Sequence, residues 1–75
     1  MSNKVTIRVN INNTIYPVTC EMGEEDKLIN ASNQVNKAIE ELSSISSGIS
    51  ETRLLAMTSL VLADKLNEKV DVISV

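Results

Sequence analysis

The chain has 75 residues, which is enough for one small domain. Hydrophobic residues make up 43% of it, so the composition is that of a folded protein and excludes a disordered chain. The net charge of −3 argues against a nucleic-acid surface, because phosphate binding needs clustered positive charge. The apolar runs are much shorter than the ~20 residues that span a membrane, so we expect a soluble, cytoplasmic protein without nucleic-acid or membrane partners.

Residues 5–20 are predicted to form a β-hairpin. Apolar and polar residues alternate over residues 5–11, which is typical of a strand with one face on a core and the other in water. The Asn12-Asn13 pair suits a tight turn, because asparagine tolerates positive φ. Pro17 in the returning strand lacks an N–H and is expected where no ladder bond is needed. The residues of this strand predicted to share one face are Tyr16, Val18 and Cys20.

A first helix is predicted over residues 24–43. Its polar residues, Asn36 among them, are assigned to the outside. The serine-rich residues 43–50 are predicted to form a loop that Ile45 and Ile49 hold against the core. The apolar residues of the helix recur at spacings of three and four, as on a helix with one buried face: Leu28, Ala31, Val35, Ala38, Ile39 and Leu42.

A long second helix is predicted over residues 51–73, with Ser50 as its N-cap. Its first half is apolar on nearly every side, and one short helix and a hairpin cannot cover it. The simplest cover is a second copy of the chain, so we expect a homodimer with this helix as a coiled-coil seam, and the sequence leaves open whether dimers pair further into a tetramer. The residues predicted to line the seam fall near heptad spacing: Leu55, Leu62, Leu66, Val70 and Ile73.

These elements predict an α+β fold, in which an N-terminal hairpin precedes two antiparallel helices in a single domain over residues 5–75. Catalytic patterns are absent, since the chain has no histidine and no glycine-rich phosphate loop. Acidic residues before the first helix are explained by the favourable charge at a helix N-terminus. Cys20 is expected to be a small buried apolar residue. The sequence therefore predicts a non-enzymatic protein with no cofactor and no metal.

Three stretches carry a family resemblance. The first is the hairpin sequence VNINNTIYPV at residues 9–18. The second is the first helix, which has Glu24-Glu25, evenly spaced aliphatic residues and the Val35-Asn36 pair. The third is the alanine- and leucine-rich sequence LAMTSLVLADKL at residues 55–66. In this order the stretches resemble the bacterial cell division protein ZapA family over residues 5–70. The chain departs from the family pattern at Asn13, where the hairpin usually has glycine, and at Val61 and Lys65.

The resemblance implies a non-enzymatic division factor at midcell, which binds filaments of the tubulin-like protein FtsZ and cross-links or bundles them to stabilise the Z-ring. Family members often carry basic residues after the hairpin glycine and around the interhelix turn. Here those places hold Thr14 and the serine-rich loop, so the partner surface differs from the family pattern. The candidate FtsZ-binding residues are Arg8, Asn12, Asn13, Thr14, Glu51 and Arg53.

Two other classes of protein remain open on the sequence alone. A small dimeric adaptor, such as a chaperone or an antitoxin-like binding protein, would share the acidic charge and the dimerisation. A ribbon-helix-helix DNA-binding protein is also a small dimer with a strand and two helices. That class needs a basic strand, and this chain offers only Arg8 there.

Overall fold

A computed structural model of the chain describes the backbone of residues 3–70 and the side chains of residues 3–67. Two strands come first, β1 (Lys4–Ile11) and β2 (Thr14–Glu21), and two helices follow, α1 (Glu25–Ile45) and α2 (Glu51–Val70). The predicted α+β class, with an N-terminal hairpin before two helices, is confirmed. The predicted last residues of the second helix, 71–73, lie outside the described residues.

The hairpin closes through the tight turn expected at Asn12-Asn13. Both residues have positive φ, 54° and 66°, as a two-residue type I′ turn requires. The strands pair antiparallel over their whole length, and residues directly opposite one another share a face. The predicted face of β2 is therefore confirmed, because its members lie opposite the apolar residues of β1: Tyr16 opposite Val9, Val18 opposite Ile7 and Cys20 opposite Val5.

The backbone bonds of the hairpin alternate along each strand. The pair that closes a two-residue turn, here Ile11 and Thr14, exchanges hydrogen bonds, and every second pair does so from there. The 2.7 Å bond from the Met22 N–H to the Asn3 carbonyl continues this odd-numbered series of β1. Pro17 lies opposite an even-numbered residue of β1, so its missing N–H would have pointed away from the ladder, as predicted.

The chain divides into two compact units between Asn36 and Lys37. In the first unit, the inner face of the hairpin, which carries the buried Val9, meets the first half of α1. These two elements surround an open apolar cavity of about 170 Å³. The side chains that line it come from both elements: Val9, Ile11, Val18, Leu28, Ala31, Ser32 and Val35.

Helix α1 extends to Ile45, two residues beyond its predicted end. Serine competes with the backbone for hydrogen bonds, which favours loops, but here the Ser44 hydroxyl donates to the Glu41 carbonyl at 2.7 Å within the helix. The side chain of Ile45 is 79% exposed, so the prediction that it holds the loop against the core is wrong. Ile49 is half-buried, in agreement with that prediction.

Helix α2 begins as predicted, with Ser50 as its cap. The Arg53 N–H donates to the Ser50 hydroxyl oxygen at 3.2 Å, and the Leu54 N–H donates to the Ser50 carbonyl at 2.9 Å. Gly48 supplies the positive φ, 85°, at which the loop turns. Among residues 37–67 of the second unit, whose side chains the structure describes, the buried ones are Ala38, Ile39, Leu54 and Thr58.

A substitution at Thr58 is expected to stabilise the second unit. Its side chain is 2% exposed, and among the described residues its hydroxyl has no hydrogen-bond partner. Thr58→Val keeps the shape and removes the unpaired hydroxyl, so we expect the free energy of unfolding to rise by about 1 kcal/mol. Urea denaturation at a fixed protein concentration measures the change. Thr58→Ser, which keeps the hydroxyl and loses the methyl group, is the control, and a valine variant less stable than the parent would contradict the expectation.

Candidate functional site

The tip of the hairpin is anchored to α1 by Asn36. The Asn12 N–H donates to Asn36 Oδ1 at 2.8 Å, and Asn36 Nδ2 donates to the Asn10 carbonyl at 2.7 Å. One side chain thus bonds to a backbone group just before the turn and to another within it. Asn12 is half-buried, whereas Asn13 and Thr14 are exposed. Of the three candidate residues at the tip, the last two therefore offer an accessible surface.

The prediction that Asn36 lies on the outside of α1 is wrong. The side chain is half-buried and connects two segments more than twenty residues apart in the chain. Helical spacing alone could not separate Asn36 from exposed polar residues such as Gln34 and Glu41, which flank the apolar stripe in the same way. The Val35-Asn36 pair within the family resemblance was the only signal in the sequence.

The candidate partner residues do not form one patch on the hairpin. Arg8 lies opposite Pro17, on the outer face, whereas Thr14 lies opposite Ile11, on the face that carries Val9. The sequence analysis named both residues as part of one candidate surface, but the two-residue period of a strand places them on opposite faces of the hairpin. The remaining candidates, Glu51 and Arg53, are exposed residues in the first turn of α2, within the second unit.

The predicted seam residues of α2 differ in exposure. Leu55 and Leu62 are half-buried, whereas Leu66 is 63% exposed. The side chains of Val70 and Ile73 lie outside the described residues. At 100° per residue, the three described members fall on one flank of the helix, beside the face that carries the buried Leu54. The seam itself stays a prediction, and an apolar surface is available for it at Leu66.

A second apolar surface on α2 was not singled out by heptad spacing. Leu60 is 64% exposed, and Met57 is also exposed. Both lie away from the flank of Leu55, Leu62 and Leu66 on the helical projection. The near-continuous apolar sequence of residues 54–63 was the signal, because such a segment cannot bury every side in one small unit.

The described residues offer no cluster of histidine, cysteine and carboxylate side chains that could hold a metal ion. Within the same part of the chain, no helix combines the length and apolar character that crossing a membrane requires. Cys20 is half-buried on the inner face of β2. Burial raises the pKa of its thiol, and the negative charges of Glu25, Glu24 and Glu21 raise that pKa further.

We expect Cys20 to be a slow nucleophile. A raised pKa keeps the thiol protonated at neutral pH, and only the thiolate reacts with iodoacetamide. The pH midpoint of alkylation in the folded protein should lie above that of the urea-unfolded chain. By the same linkage, the stability due to the protonated thiol is complete below the unfolded pKa and is lost as pH rises through the folded pKa.

Glu25→Gln is the matched variant for this measurement. Glutamine keeps an oxygen that can accept the 2.7 Å bond from the Gly23 N–H, while the charge near the thiol is removed. The alkylation midpoint should then move part of the way back toward the unfolded value. A midpoint in the folded parent at or below the unfolded value would contradict the assignment.

Comparison with known proteins identifies one family. The family model described as cell division protein ZapA matches residues 7–73. The comparisons with curated proteins and with solved structures return no match. The family match covers both strands from Ile7 onward and both helices, so it includes every candidate partner residue.

Proposed function

The chain belongs to the ZapA family of cell division proteins, and on this premise we propose that it is a non-enzymatic factor that binds FtsZ filaments and cross-links them. The observation that carries the proposal is the family match over residues 7–73. The protein would act in the cytoplasm at midcell, where it would stabilise the Z-ring. No cofactor enters this function, because cross-linking requires only binding surfaces.

Cross-linking requires at least two filament-binding surfaces on one particle. A symmetric homodimer carries two copies of each surface, and a second binding event then gains from effective concentration. The exposed Leu66 and the half-buried Leu55 and Leu62 support such an assembly, because together they offer an apolar flank along α2. We propose that this flank is the seam between copies, with Val70 and Ile73 continuing it.

Filament contacts are proposed at two places: the exposed hairpin tip, Asn13 and Thr14, in the first unit, and the start of α2, Glu51 and Arg53, in the second. Asn12 contributes by holding the tip in place, since its N–H bonds to Asn36. Arg8 lies on the outer face of the hairpin and would contact a filament only from that side. The rival ribbon-helix-helix class is disfavoured, because this chain folds a two-stranded hairpin where that class has a single strand.

Thr14→Glu tests the tip as a contact. The residue is exposed at the start of β2, so the substitution should leave the fold and the molar mass unchanged. We expect the added charge to weaken filament binding by about tenfold, which corresponds to about 1.4 kcal/mol. Binding of the fluorescently labelled protein to FtsZ filaments measures the effect. Filament binding and bundling equal to those of the parent would exclude the tip from the contact.

Electron microscopy of FtsZ polymerised with GTP tests the cross-linking itself. Filaments alone should be single, and addition of the protein should align them into bundles with a constant spacing. Omission of GTP provides the control, because no filaments form for the protein to align. Filaments that stay single at every protein concentration would contradict the proposed function.

A further inference from the structure

The two outward edges of the hairpin differ in which backbone N–H and C=O groups they can offer to an added strand. In a two-stranded sheet each strand has one outward edge, along which every second residue presents its N–H and C=O groups. In β1 these are the even-numbered residues, because the odd-numbered residues, up to Ile11, form the backbone hydrogen bonds to β2. The Asn10 carbonyl accepts its bond from Asn36, outside the ladder, as this alternation requires.

The outward edge of β2 is interrupted at two places. Pro17 occupies an outward position and has no N–H to donate. At Glu21 the carbonyl is already occupied, because it accepts a hydrogen bond from the Glu24 N–H at 3.0 Å. A strand could not pair continuously along this edge, since its central donor and its final acceptor are missing.

The outward edge of β1 is open over three consecutive outward positions, Lys4, Thr6 and Arg8. Among the described residues, no hydrogen bond outside the ladder reaches the N–H or C=O group of any of the three. All three side chains are exposed. Within the described part of the chain, the edge is covered at Asn10, next to the turn, where Asn36 of α1 bonds to its carbonyl. The open segment can therefore accept a short extended strand.

The charges on this edge decide what that strand can be. Lys4 and Arg8 share the outer face and lie about 13 Å apart at 3.3 Å per residue. Neither makes an ion pair in the described part of the chain, although Glu21 lies opposite Lys4. If a second copy of β1 paired antiparallel with the first, with the two Thr6 residues opposite each other, Lys4 of each copy would lie opposite Arg8 of the other. Like charges directly opposite are destabilising, so the edge disfavours self-pairing.

We propose that the outward edge of β1 is a docking site for an extended peptide that carries acidic side chains four residues apart. The peptide would add as a third strand, antiparallel to β1, with one carboxylate beside Lys4 and the other beside Arg8. Main-chain bonds to Lys4, Thr6 and Arg8 would supply affinity, and the two cations would supply selectivity. The proposal does not depend on filament binding, and its test contains no FtsZ.

The probe is the peptide acetyl-Val-Glu-Val-Thr-Val-Glu-Val-amide with a fluorescent label, titrated with the full chain and followed by anisotropy. The glutamates are four residues apart, so both can lie opposite the two cations. The same peptide with lysine at both glutamate positions tests the charge requirement, and one N-methylated at its central threonine tests the backbone requirement. We expect saturable binding of the first peptide, weakened at high salt, and at least about tenfold weaker binding of the other two.

Two pairs of protein variants test whether the peptide binds at the outward edge of β1. Thr6→Pro removes an outward N–H from β1, and Thr19→Pro removes one from β2 at the position directly opposite. Both lose the same 3.2 Å contact between the hydroxyls of Thr6 and Thr19, so they are matched for damage to the hairpin. Arg8→Glu reverses a charge on the edge, and Lys37→Glu makes the same change at an exposed residue of α1.

We expect peptide affinity to fall at least about tenfold in Thr6→Pro and Arg8→Glu, and to stay within about twofold of the parent in Thr19→Pro and Lys37→Glu. Hydrogen exchange by NMR adds a readout on the folded parent, because bound peptide should protect the Thr6 and Arg8 amides. Absence of peptide binding, or equal loss in both proline variants, would overturn the proposal. Protection of the Thr6 and Arg8 amides before peptide is added would also overturn it, since the edge would then be occupied by another copy.

Discussion

Replacing Leu66 by glutamate is expected to halve the molar mass of the protein in solution. Leu66 is 63% exposed and continues the flank of Leu55 and Leu62, so a seam between copies would bury it. Each copy would then place a carboxylate in an apolar interface, at a cost of about 2–3 kcal/mol per copy. For a dimer this weakens association by about three to four orders of magnitude. Multi-angle light scattering at micromolar concentration measures the mass, and Val70→Glu is expected to act in the same way.

Asn67→Glu is the matched control for this change. Asn67 is exposed and adjacent in sequence, and it lies about 100° around the helix from Leu66, off the flank of the proposed seam, so the same new charge should leave the mass unchanged. A monomer keeps one filament-binding surface, so Leu66→Glu should abolish bundling of FtsZ filaments while it retains binding to them. A mass equal to that of the parent would rule out the seam.

Replacing Asn36 by alanine is expected to lower the free energy of unfolding by about 2 kcal/mol. The change removes the bonds that the Asn36 side chain makes to the Asn12 N–H and the Asn10 carbonyl, at 2.8 Å and 2.7 Å. In a chain of this size such a loss lowers the melting temperature by about 10 °C. Urea denaturation followed by circular dichroism measures the change at a fixed protein concentration.

Asn33→Ala and Asn36→Asp make this test specific. Asn33 is exposed on the same helix, so its replacement should change stability by no more than about 0.5 kcal/mol. Aspartate at position 36 keeps an acceptor for Asn12 and loses the donor for Asn10, and we expect a stability between those of the parent and Asn36→Ala. If Asn36→Ala is as stable as Asn33→Ala, Asn36 does not anchor the hairpin.

The elements of this fold could be read from the sequence because their signals are local. Alternation over residues 5–11 and the Asn12-Asn13 pair predict the strands and their turn, and positive φ at both asparagines confirms it. The cap at Ser50 is local as well, since the hydroxyl and the Arg53 N–H are only three residues apart. The end of α1 was placed too early, because serine hydroxyls can bond inside a helix as well as outside it.

The contacts between elements could not be read in this way. Asn36 looks like any polar residue beside a helical stripe, and its role depends on backbone groups more than twenty residues away. Thr58 lies within a run of apolar residues, but only packing in three dimensions leaves its hydroxyl without a partner among the described residues. The same limit applies to Arg8 and Thr14, which sequence grouped as one surface and the strand register separates.

The measurement that tests the central claim most directly is co-sedimentation with FtsZ in the presence of GTP, with light scattering on the same protein sample. We expect the protein to pellet with FtsZ at low speed, where only bundles sediment, and to have the mass of a dimer or a tetramer. Both results together would establish cross-linking by an assembly of this chain. A protein that stays in the supernatant at low and high speed would contradict the account, and a dimer mass in that case would favour a dimeric adaptor for another partner.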